Sequence, residues 1–480
     1  MVSVLISAAH KSSGKTTLSI GLCAAMHARN LRVQAFKKGP DYIDPLWLSA
    51  ASDNPCHNLD FNTMTHSEIL QTLQYYGANA DFRLIEANKG LYDGIALDGS
   101  DSNAALAKLT DSAVILVLDT RGMTRGIAPL LMGYQAFDHD VNIAGVILNR
   151  TGGDRHVGKL QRAVEEYTDV TVLGAVRNDP EMVIEERHLG LMPSNESDEA
   201  ERRIVQIRNL VADQVDLDKV LELGADRERT DVPKAPFALN HPVEAPVNSS
   251  KNQSLPKAFP VRVAVCQDPA FAFYYPGDLD ALQQAGAEIV PVNTLTDKSL
   301  PEVDGLFIGG GFPETQMHRL AANESLRADI YQAIEDGLPV YAECGGLMYL
   351  SRSIHWRGEQ AEMVGIIPGD AVMHEKPQGR GYVKLQETAD MIWPGGDTAQ
   401  TINAHEFHYS ALENLAQTGR FAFRMLRGQG IDGQHDGWIY KNLLASYTHM
   451  RHTAQFPWAQ RFIEFIRLQK TSVLQQQRIA

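Results

Sequence analysis

Short apolar runs alternate with longer amphipathic stretches through most of the chain. Runs of this kind that are rich in β-branched residues are typical of strands buried on both faces, and the stretches between them are typical of helices. The alternation predicts an α/β fold class with two doubly wound domains and mainly parallel sheets. The predicted strands are VSVLISA, FRLIEA, AVILVLD and IAGVILN in the first half, and VRVAVCQ, DGLFIGG and LPVYAEC in the second half.

The alternation stops once, between residues 225 and 260. This segment is rich in Pro, Ser and Asn and has no sustained apolar period, which is typical of an interdomain linker. We therefore predict one domain over residues 1–224, a linker over residues 225–260 and a second domain over residues 261–480.

Composition and charge narrow the class of protein. Of the 480 residues 44% are hydrophobic, yet no apolar run approaches the length of a membrane span. The first residues, MVSVLISAAH, become polar too soon for a secretory signal. Four widely separated cysteines without metal-like spacing favour the reducing cytoplasm over a disulfide framework. The formal net charge of −15 argues against nucleic acid as a partner. We expect a cytoplasmic protein that binds neither membrane nor nucleic acid, and the oligomeric state stays open, a homodimer included.

A phosphate-binding loop is predicted directly after the first strand. Here a loop ends and a helix begins, where backbone N–H groups and the helix dipole favour phosphate oxygens. In such a loop the lysine contacts the outer phosphates of ATP and the following threonine ligates magnesium. The predicted ATP-binding residues are Ser13, Gly14, Lys15, Thr16 and Thr17.

Acidic residues follow two later predicted strands. FKKGPDYIDP carries Asp41, Tyr42 and Asp44, and LIEANKGLYDG carries Glu86 and Asp93. A single acid in a loop is more often a solvated charge than a ligand. These acids, however, come at the carboxyl ends of strands, where open α/β sheets bind their ligands, and Mg²⁺ prefers a few hard oxygen ligands beside phosphates and water. Together with the loop they predict a magnesium–ATP site.

Basic residues also lie mainly in loops after the strands of this half. They could line one face and meet an anionic substrate, but scattered surface charge is the simpler interpretation of each residue taken alone. The residues are Lys11, Lys37, Lys38, Lys89, Arg121, Arg125, Arg150 and Arg187.

A cysteine stands at a strand-to-helix corner in the second half. Cys344 follows LPVYAE and precedes GGLMYL. A lone cysteine is most often a small buried apolar residue. At such a corner, however, a nucleophile is exposed near a helix N-terminus, and Gly345 permits the close approach of a substrate. Cys344 is therefore predicted to be a nucleophile.

The partners that a nucleophilic cysteine requires are present in the same half. The turn IGGGFPE contains Gly310 and Gly311, whose N–H groups could stabilise an oxyanion together with Gly345. His449, after the apolar run LLAS, is the predicted base, and HEFHYS offers His405 and His408 as competitors. The pattern predicts attack of Cys344 on an amide carbonyl, with His449 managing the protons.

These motifs together resemble those of the cobyrinate a,c-diamide synthase family over nearly the full chain and in family order. The stretches that carry the resemblance are KKGPDYIDP, GLYDG, GVILNR, EERHLGL, GGGFPE, AECGGLMYL, HEFHYS and SYTH. The resemblance implies a P-loop NTPase-like, dethiobiotin-synthetase-like ATP domain joined to a glutamine amidotransferase domain.

Several residue roles are implied by that resemblance. Cys344 would be the glutaminase nucleophile and His449 its activating partner. Residues on the ATP-domain motifs would serve ATP, metal and the acceptor carboxylate: Thr16, Asp44 and Glu86 for magnesium, and Asp41, Tyr42, Lys89 and Asp93 for the acceptor. Members of the family use ATP, Mg²⁺ and glutamine to amidate peripheral acetates of corrinoid or related tetrapyrrole acids, a step of cobalamin biosynthesis.

The sequence differs from the family pattern at three places. The loop AAHKSSGKT stands where the family has a sequence similar to GTxSGxGKT, and EANKGLYDG stands where it has one similar to EGxMGLYDG. Lys89 is one of these changes and would suit another polycarboxylate macrocycle. Ordinary amidotransferases also carry His-x-Glu, whereas Met450 and Arg451 follow His449, so the third member of the triad is left open.

Three alternatives remain open at this point. A sister branch that resembles the sirohaem amidase would use the same chemistry on a different tetrapyrrole. The first half could instead be a partitioning or signalling ATPase joined to a degenerate amidotransferase module. The second half could be a plain cysteine hydrolase regulated by the first.

Overall fold

A computed structural model describes residues 2–180, 184, 186–187, 190–191, 194, 199–223, 260–415 and 419–479. The chain forms two compact units, residues 1–236 and 237–480. The predicted linker over residues 225–260 lies outside the described residues except for Pro260.

Unit 1 is built on a sheet of seven parallel strands in the order β3-β2-β4-β1-β5-β6-β7. Its central strands are buried along their whole length, as continuous apolar runs in a parallel sheet should be. A short antiparallel pair, β8 and β9, stands apart. The strands are β1 Val2–Ala8, β2 Val33–Lys38, β3 His57–Leu59, β4 Phe82–Glu86, β5 Ala113–Asp119, β6 Ile143–Thr151, β7 Thr171–Arg177, β8 Glu186–Arg187 and β9 Gly190–Leu191.

The helices of unit 1 enclose two apolar cores. One contact between helices depends on a glycine, because a Cβ on Gly21 of α1 would lie 2.4 Å from Cγ2 of Val211 in α7. The helices are α1 Lys15–Ala28, α2 Ile43–Ser52, α3 His66–Gly77, α4 Asn103–Leu109, α5 Ile127–Phe137, α6 Asp154–Tyr167, α7 Ala200–Gln214 and α8 Leu217–Glu222.

The order of the sheet positions the site of unit 1. Strands β2, β4 and β1 are neighbours and run in the same direction. The loops that follow them, at residues 39–42, 87–102 and 9–14, therefore leave the same edge of the sheet.

Unit 2 contains a sheet of nine strands in the order β11-β10-β12-β13-β22-β21-β20-β17-β18 and a second sheet in the order β15-β14-β16-β19. The strands are β10 Val261–Cys266, β11 Ala287–Val292, β12 Gly305–Ile308, β13 Val340–Glu343, β14 Ser351–Trp356, β15 Glu359–Glu362, β16 Ile367–Met373, β17 Gly379–Glu387, β18 Thr401–His408, β19 Ser410–Glu413, β20 Arg420–Arg427, β21 His435–Tyr440 and β22 Leu443–Ser446. The helices are α9 Pro276–Gln284, α10 Met317–Ala322, α11 Glu324–Glu335, α12 Gly345–Leu350 and α13 Trp458–Ile479, with a 3₁₀ helix at Pro313–Gln316.

Only half of the large sheet in unit 2 is parallel. Strands β11, β10, β12, β13 and β22 run parallel, whereas the pairs from β22 to β18 are antiparallel. The prediction of mainly parallel sheets thus describes unit 1 better than unit 2. Strand β17, GRGYVKLQE, alternates between buried and less buried positions near its end, which is the signature of a strand with one solvated face.

Within the described residues, no helix is both long and apolar enough to cross a membrane.

Candidate active sites

The phosphate-binding loop of unit 1 lies between β1 and α1 and is braced by the end of β6. Asn149 Nδ2 donates a hydrogen bond to the Ser13 carbonyl at 2.8 Å, and Arg150 Nη1 donates to the Ser12 carbonyl at 2.8 Å. Ser12 and Gly14 have φ angles of 63° and 90°. A Cβ on Gly14 would lie 2.2 Å from Asn149 Nδ2, so both its φ and its neighbour require glycine.

The first helical residues face the acids predicted from the sequence. Thr16 Oγ1 donates to Glu86 Oε1 at 2.6 Å and lies 3.3 Å from Asp44 Oδ2. Lys15 is buried. Burial, opposed by Glu86, lowers the pKa of Lys15 to about 8. The structure thus brings the three predicted magnesium ligands together. Asp44 and Glu86 both lie within hydrogen-bond distance of Thr16, at the end of the phosphate loop.

Sequence reasoning named Lys37 only as one of several basic residues after strands and did not predict its place in this acidic cluster. Its ammonium lies 2.5 Å from Asp44 Oδ2, 3.1 Å from Glu86 Oε1 and 3.7 Å from Asp41 Oδ2, and its side chain is only 3% exposed. Burial lowers the pKa of Lys37, but the three carboxylates outweigh it and hold that pKa well above its ordinary value. The available signal was its place as an inward residue at the end of β2, directly before the acidic motif.

Burial changes the protonation of the acids as well. It raises the pKa of Glu86 to about 7, although Lys37 opposes the change. It raises the pKa of Asp41 to about 6, with the nearby Asp44 acting in the same direction. These carboxyls therefore titrate close to neutral pH.

The donor set fits magnesium when phosphate is also present. Within the described residues no group of three or more His, Cys, Asp or Glu side chains could hold a metal on its own. Magnesium in nucleotide sites takes one or two carboxylates and completes its shell with phosphate and water oxygens. Glu86 Oε2 is buried and has no hydrogen-bond partner among the described residues, which leaves it available to such a shell.

The predicted acceptor residues lie on the two loops beside the phosphate loop. Tyr42 is buried directly before α2, and Lys89 is exposed with φ 45°. Asp93 Oδ2 accepts a hydrogen bond from the Gly90 N–H at 2.9 Å. A Cβ on Gly90 would lie 2.7 Å from the carbonyl oxygen of Ala9, so this loop packs directly on the phosphate loop.

In unit 2 the nucleophile candidate occupies a strained corner. Cys344 lies between β13 and α12 with φ 47° and ψ −98°, a region that non-glycine residues rarely adopt. Its N–H donates to the Ser446 carbonyl at 2.7 Å. A Cβ on Gly346 would lie 2.3 Å from the Ile308 carbonyl oxygen, so the close packing of this corner requires glycine.

The two predicted glycine turns meet beside Cys344. They follow the adjacent parallel strands β12 and β13. A Cβ on Gly345 would lie 3.0 Å from the Gly311 nitrogen, and one on Gly310 would lie 2.6 Å from Cε1 of His449. The Gly310 carbonyl accepts from the N–H of Phe273 at 3.0 Å. Gly311 and Gly345, which carry no side chains of their own, thus lie together beside Cys344, where an oxyanion would form.

His449 lies in the same site and is the histidine in contact with the nucleophile. Burial lowers its pKa, but the charge and hydrogen bond of Cys344, followed by those of Glu343, raise the pKa of His449 to about 10. The Glu343 Oε2 atom lies 3.5 Å from His449 Nδ1. Glu343 was not predicted, although it directly precedes Cys344 in the sequence.

The competing histidines have other surroundings. The His405 ring stacks on the His449 ring at 4.9 Å between centroids, and burial, His449 and Arg451 hold the pKa of His405 well below its ordinary value. His408 stacks on Tyr447 at 4.0 Å and lies 3.7 Å from Glu406.

Both units match known protein families. Residues 5–191 match the CobQ/CobB/MinD/ParA nucleotide binding domain, and residues 262–455 match the CobB/CobQ-like glutamine amidotransferase domain. Three relatives are named cobyrinate a,c-diamide synthase. That of Magnetococcus marinus is 43% identical over 95% of both chains. That of Methanosarcina acetivorans is 39% identical over 94% of this chain and 92% of its own, and that of Archaeoglobus fulgidus is 39% identical over 96% of both.

These matches confirm the expected α/β fold class and the assignment to the glutamine-dependent amidoligases. The chain belongs to the cobyrinate a,c-diamide synthase family.

Proposed function

We propose that this protein amidates peripheral acetate carboxylates of cobyrinate, with glutamine as the nitrogen donor and magnesium–ATP as the activating substrate. The substrate follows from the name shared by relatives 36–43% identical over nearly the full chain. The observation that carries the chemistry is the strained Cys344 corner, which His449 contacts in a buried site.

The glutaminase half-reaction uses residues of unit 2 alone. The Cys344 sulfur attacks the carboxamide carbon of glutamine. The N–H groups of Gly311, in the turn that includes Gly310, and of Gly345 donate hydrogen bonds to the resulting oxyanion. His449 gives its proton to the amino group of the tetrahedral intermediate, which leaves as ammonia while the thioester forms. Water then cleaves the thioester, which releases glutamate and restores the thiol. The same geometry argues against a degenerate amidotransferase module.

The synthetase half-reaction takes place in unit 1. The phosphate loop, Ser13 to Thr17, holds the ATP phosphates, and Lys15 lies at their outer end. Thr16, Asp44 and Glu86 would hold magnesium, which neutralises charge on the phosphates. An oxygen of the acceptor carboxylate attacks the γ-phosphorus and ADP leaves. Ammonia then displaces phosphate from the acyl phosphate, and the product is an amide.

The acceptor is proposed to bind at the two loops next to the phosphate loop. Asp41, Tyr42, Lys89 and Asp93 lie on these loops, and the loop of Lys89 and Asp93 packs on Ala9. An acceptor carboxylate held there would be close to the terminal phosphate, which formation of an acyl phosphate requires. A cytoplasmic location, the absence of nucleic acid as a partner and a homodimer remain predictions.

Sirohaem is the second candidate acceptor. Lys89 is exposed at the predicted acceptor site and departs from the family pattern, and an added cation there suits a different arrangement of carboxylates.

A parallel assay separates the two acceptors. The protein is given glutamine and magnesium–ATP with either cobyrinic acid or sirohaem, and the products are analysed by mass spectrometry. We expect amides of cobyrinic acid from glutamine, and from ammonia alone with Cys344→Ala. Amides of sirohaem only would move the assignment to the second candidate. No amide of either acceptor would contradict the proposed function.

A further inference from the structure

Glu343 reaches His449 from the end of β13, whereas ordinary amidotransferases carry the partner glutamate two residues after the histidine. The carboxylate and the His449 ring are both 4% exposed, with Oε2 and Nδ1 3.5 Å apart. This separation is at the outer limit of a hydrogen bond, and such bonds are often long before substrate binds. We propose that Glu343 is the third member of the glutaminase triad, a positioning residue that orients His449 and stabilises its protonated ring. The inference rests on the glutaminase half of the proposed function.

Glu343 is held in place by its other oxygen. Oε1 accepts hydrogen bonds from the Met450 N–H at 2.9 Å and from the Tyr341 hydroxyl at 2.5 Å. One carboxylate oxygen is thus held by Tyr341 on the same strand and by Met450 next to His449, and Oε2 is the oxygen near the histidine. A fixed carboxylate of this kind sets both the tautomer and the orientation of an imidazole.

The strand pairing explains why this residue can take the role. Glu343 ends β13, and it lies beside Ser446 in the parallel neighbour β22. His449 follows Ser446 by three residues, so the carboxylate and the ring meet at adjacent strand ends. The position where ordinary amidotransferases carry glutamate holds Arg451, whose guanidinium instead lies 4.4 Å from the centre of the Tyr275 ring.

The charges around the histidine favour its protonated form. Against burial, Cys344 and then Glu343 raise the pKa of His449 to about 10. His405, stacked on its ring, has a pKa well below its ordinary value and is neutral near pH 7. The positive charge of Arg451 also lowers the pKa of His405. Asp278 interacts electrostatically with both Arg451 and Glu343. An imidazolium next to Cys344 can both favour the thiolate and protonate the amino group that leaves as ammonia.

Two substitutions distinguish positioning from a purely structural role. Glu343→Gln keeps an oxygen that can accept from Met450 and Tyr341, but it removes the negative charge facing Nδ1. Glu343→Asp keeps the negative charge but moves it away from His449 Nδ1, because the aspartate side chain is one methylene shorter. Glu359→Gln is the matched control, because Glu359 pairs with His318 at 2.6 Å on the surface of the same unit.

The measurements are glutaminase kcat, the pH dependence of Cys344 alkylation by iodoacetamide, ammonia-dependent amidation and thermal stability. With Glu343→Gln we expect kcat for glutamine to fall roughly 100-fold and the alkaline limb of the alkylation profile to move to lower pH. Amidation from ammonia and the melting temperature should match those of Glu359→Gln. Glu343→Asp should recover part of the glutaminase activity.

Two outcomes would overturn the proposal. One is wild-type glutaminase turnover with an unchanged alkylation profile in Glu343→Gln. The other is a parallel loss of both nitrogen donors together with a lower melting temperature, which would make Glu343 a structural residue only. Neither outcome depends on which tetrapyrrole is amidated, so failure of the proposed acceptor is recognised separately in the wild-type protein.

Discussion

At the scale of single residues, both candidate sites contain charged side chains that are largely buried and paired with one another. Lys37 lies among Asp41, Asp44 and Glu86. Without this cation, removing these carboxylates from water would lower the free energy of unfolding. In unit 2 Glu343 and His449 form a second buried pair. The local motifs of the sequence predict roles for Cys344 and Lys15, but the sequence does not predict the ion pairs of Lys37 or Glu343. Their roles depend on contacts between strands that are far apart along the chain.

Replacing Lys37 tests whether it neutralises the acidic cluster. Lys37→Met leaves the buried Glu86 and the partly buried Asp41 and Asp44 without their cation, so we expect the free energy of unfolding at pH 8 to fall by about 3 kcal/mol. Burial raises the pKa of Asp41 to about 6 and that of Glu86 to about 7. The raised pKa of each carboxyl therefore stabilises the folded protein most at a pH below the ordinary pKa of that group. This stabilisation is lost as the pH rises through about 6 for Asp41 and about 7 for Glu86. The deficit of Lys37→Met should accordingly shrink at pH 5, as measured by urea unfolding.

The control for this variant is Lys108→Met. Lys108 pairs with Asp138 at 2.6 Å, but both side chains are partly exposed, and exposed pairs contribute at most about 1 kcal/mol. Equal losses in the two variants, or a deficit in Lys37→Met that does not change with pH, would contradict the interpretation.

At the scale of elements, each site is a turn between a strand and a helix that neighbouring elements hold in shape. The phosphate loop is fixed by Asn149 and Arg150 at the end of β6, and the Cys344 corner is fixed by Ser446 at the end of β22. Apolar runs followed by glycine made both turns predictable from sequence. The bracing residues were not predictable, because strand order decides which strand end lies beside a given loop.

Gly14→Ala tests the bracing of the phosphate loop. The new Cβ would lie 2.2 Å from Asn149 Nδ2, and the substituted residue would have to adopt φ 90°. We expect the KM for ATP to rise at least tenfold, because the loop N–H groups are displaced, while glutaminase activity is retained. Gly122→Ala is the control for backbone strain without a steric collision, since Gly122 has φ 72° and nothing lies within 4 Å of its added Cβ.

The double variant Gly14→Ala with Asn149→Ala removes the collision and retains the backbone strain, which costs about 1 kcal/mol. Partial recovery of the KM for ATP in the double variant would support the contact with Asn149. A Gly14→Ala protein with the KM of the wild type would show that the loop is not held as described.

At the scale of the whole molecule, the chain joins two compact units, and we expect the two half-reactions to be inactivated separately. Each unit has its own sheet and cores, and each candidate site consists of residues from one unit. The alternation of apolar runs predicted two α/β domains. It missed the antiparallel half of the large sheet in unit 2, because strands such as β17 show their alternation only over a few positions.

Mixing two inactive variants tests how ammonia passes from one unit to the other. Glu86→Gln should lose amidation with either nitrogen donor and keep glutaminase activity, whereas Cys344→Ala should lose only the use of glutamine. In a mixture of the two, ammonia has to cross bulk water, where it is diluted and mostly protonated at neutral pH. We therefore expect amide formation roughly tenfold or more below that of the wild-type protein, because the two half-reactions no longer take place on the same chain. The rate should rise with pH as the neutral fraction of ammonia grows. A mixture as fast as the wild type at pH 7 would show that ammonia reaches the acyl phosphate through solution.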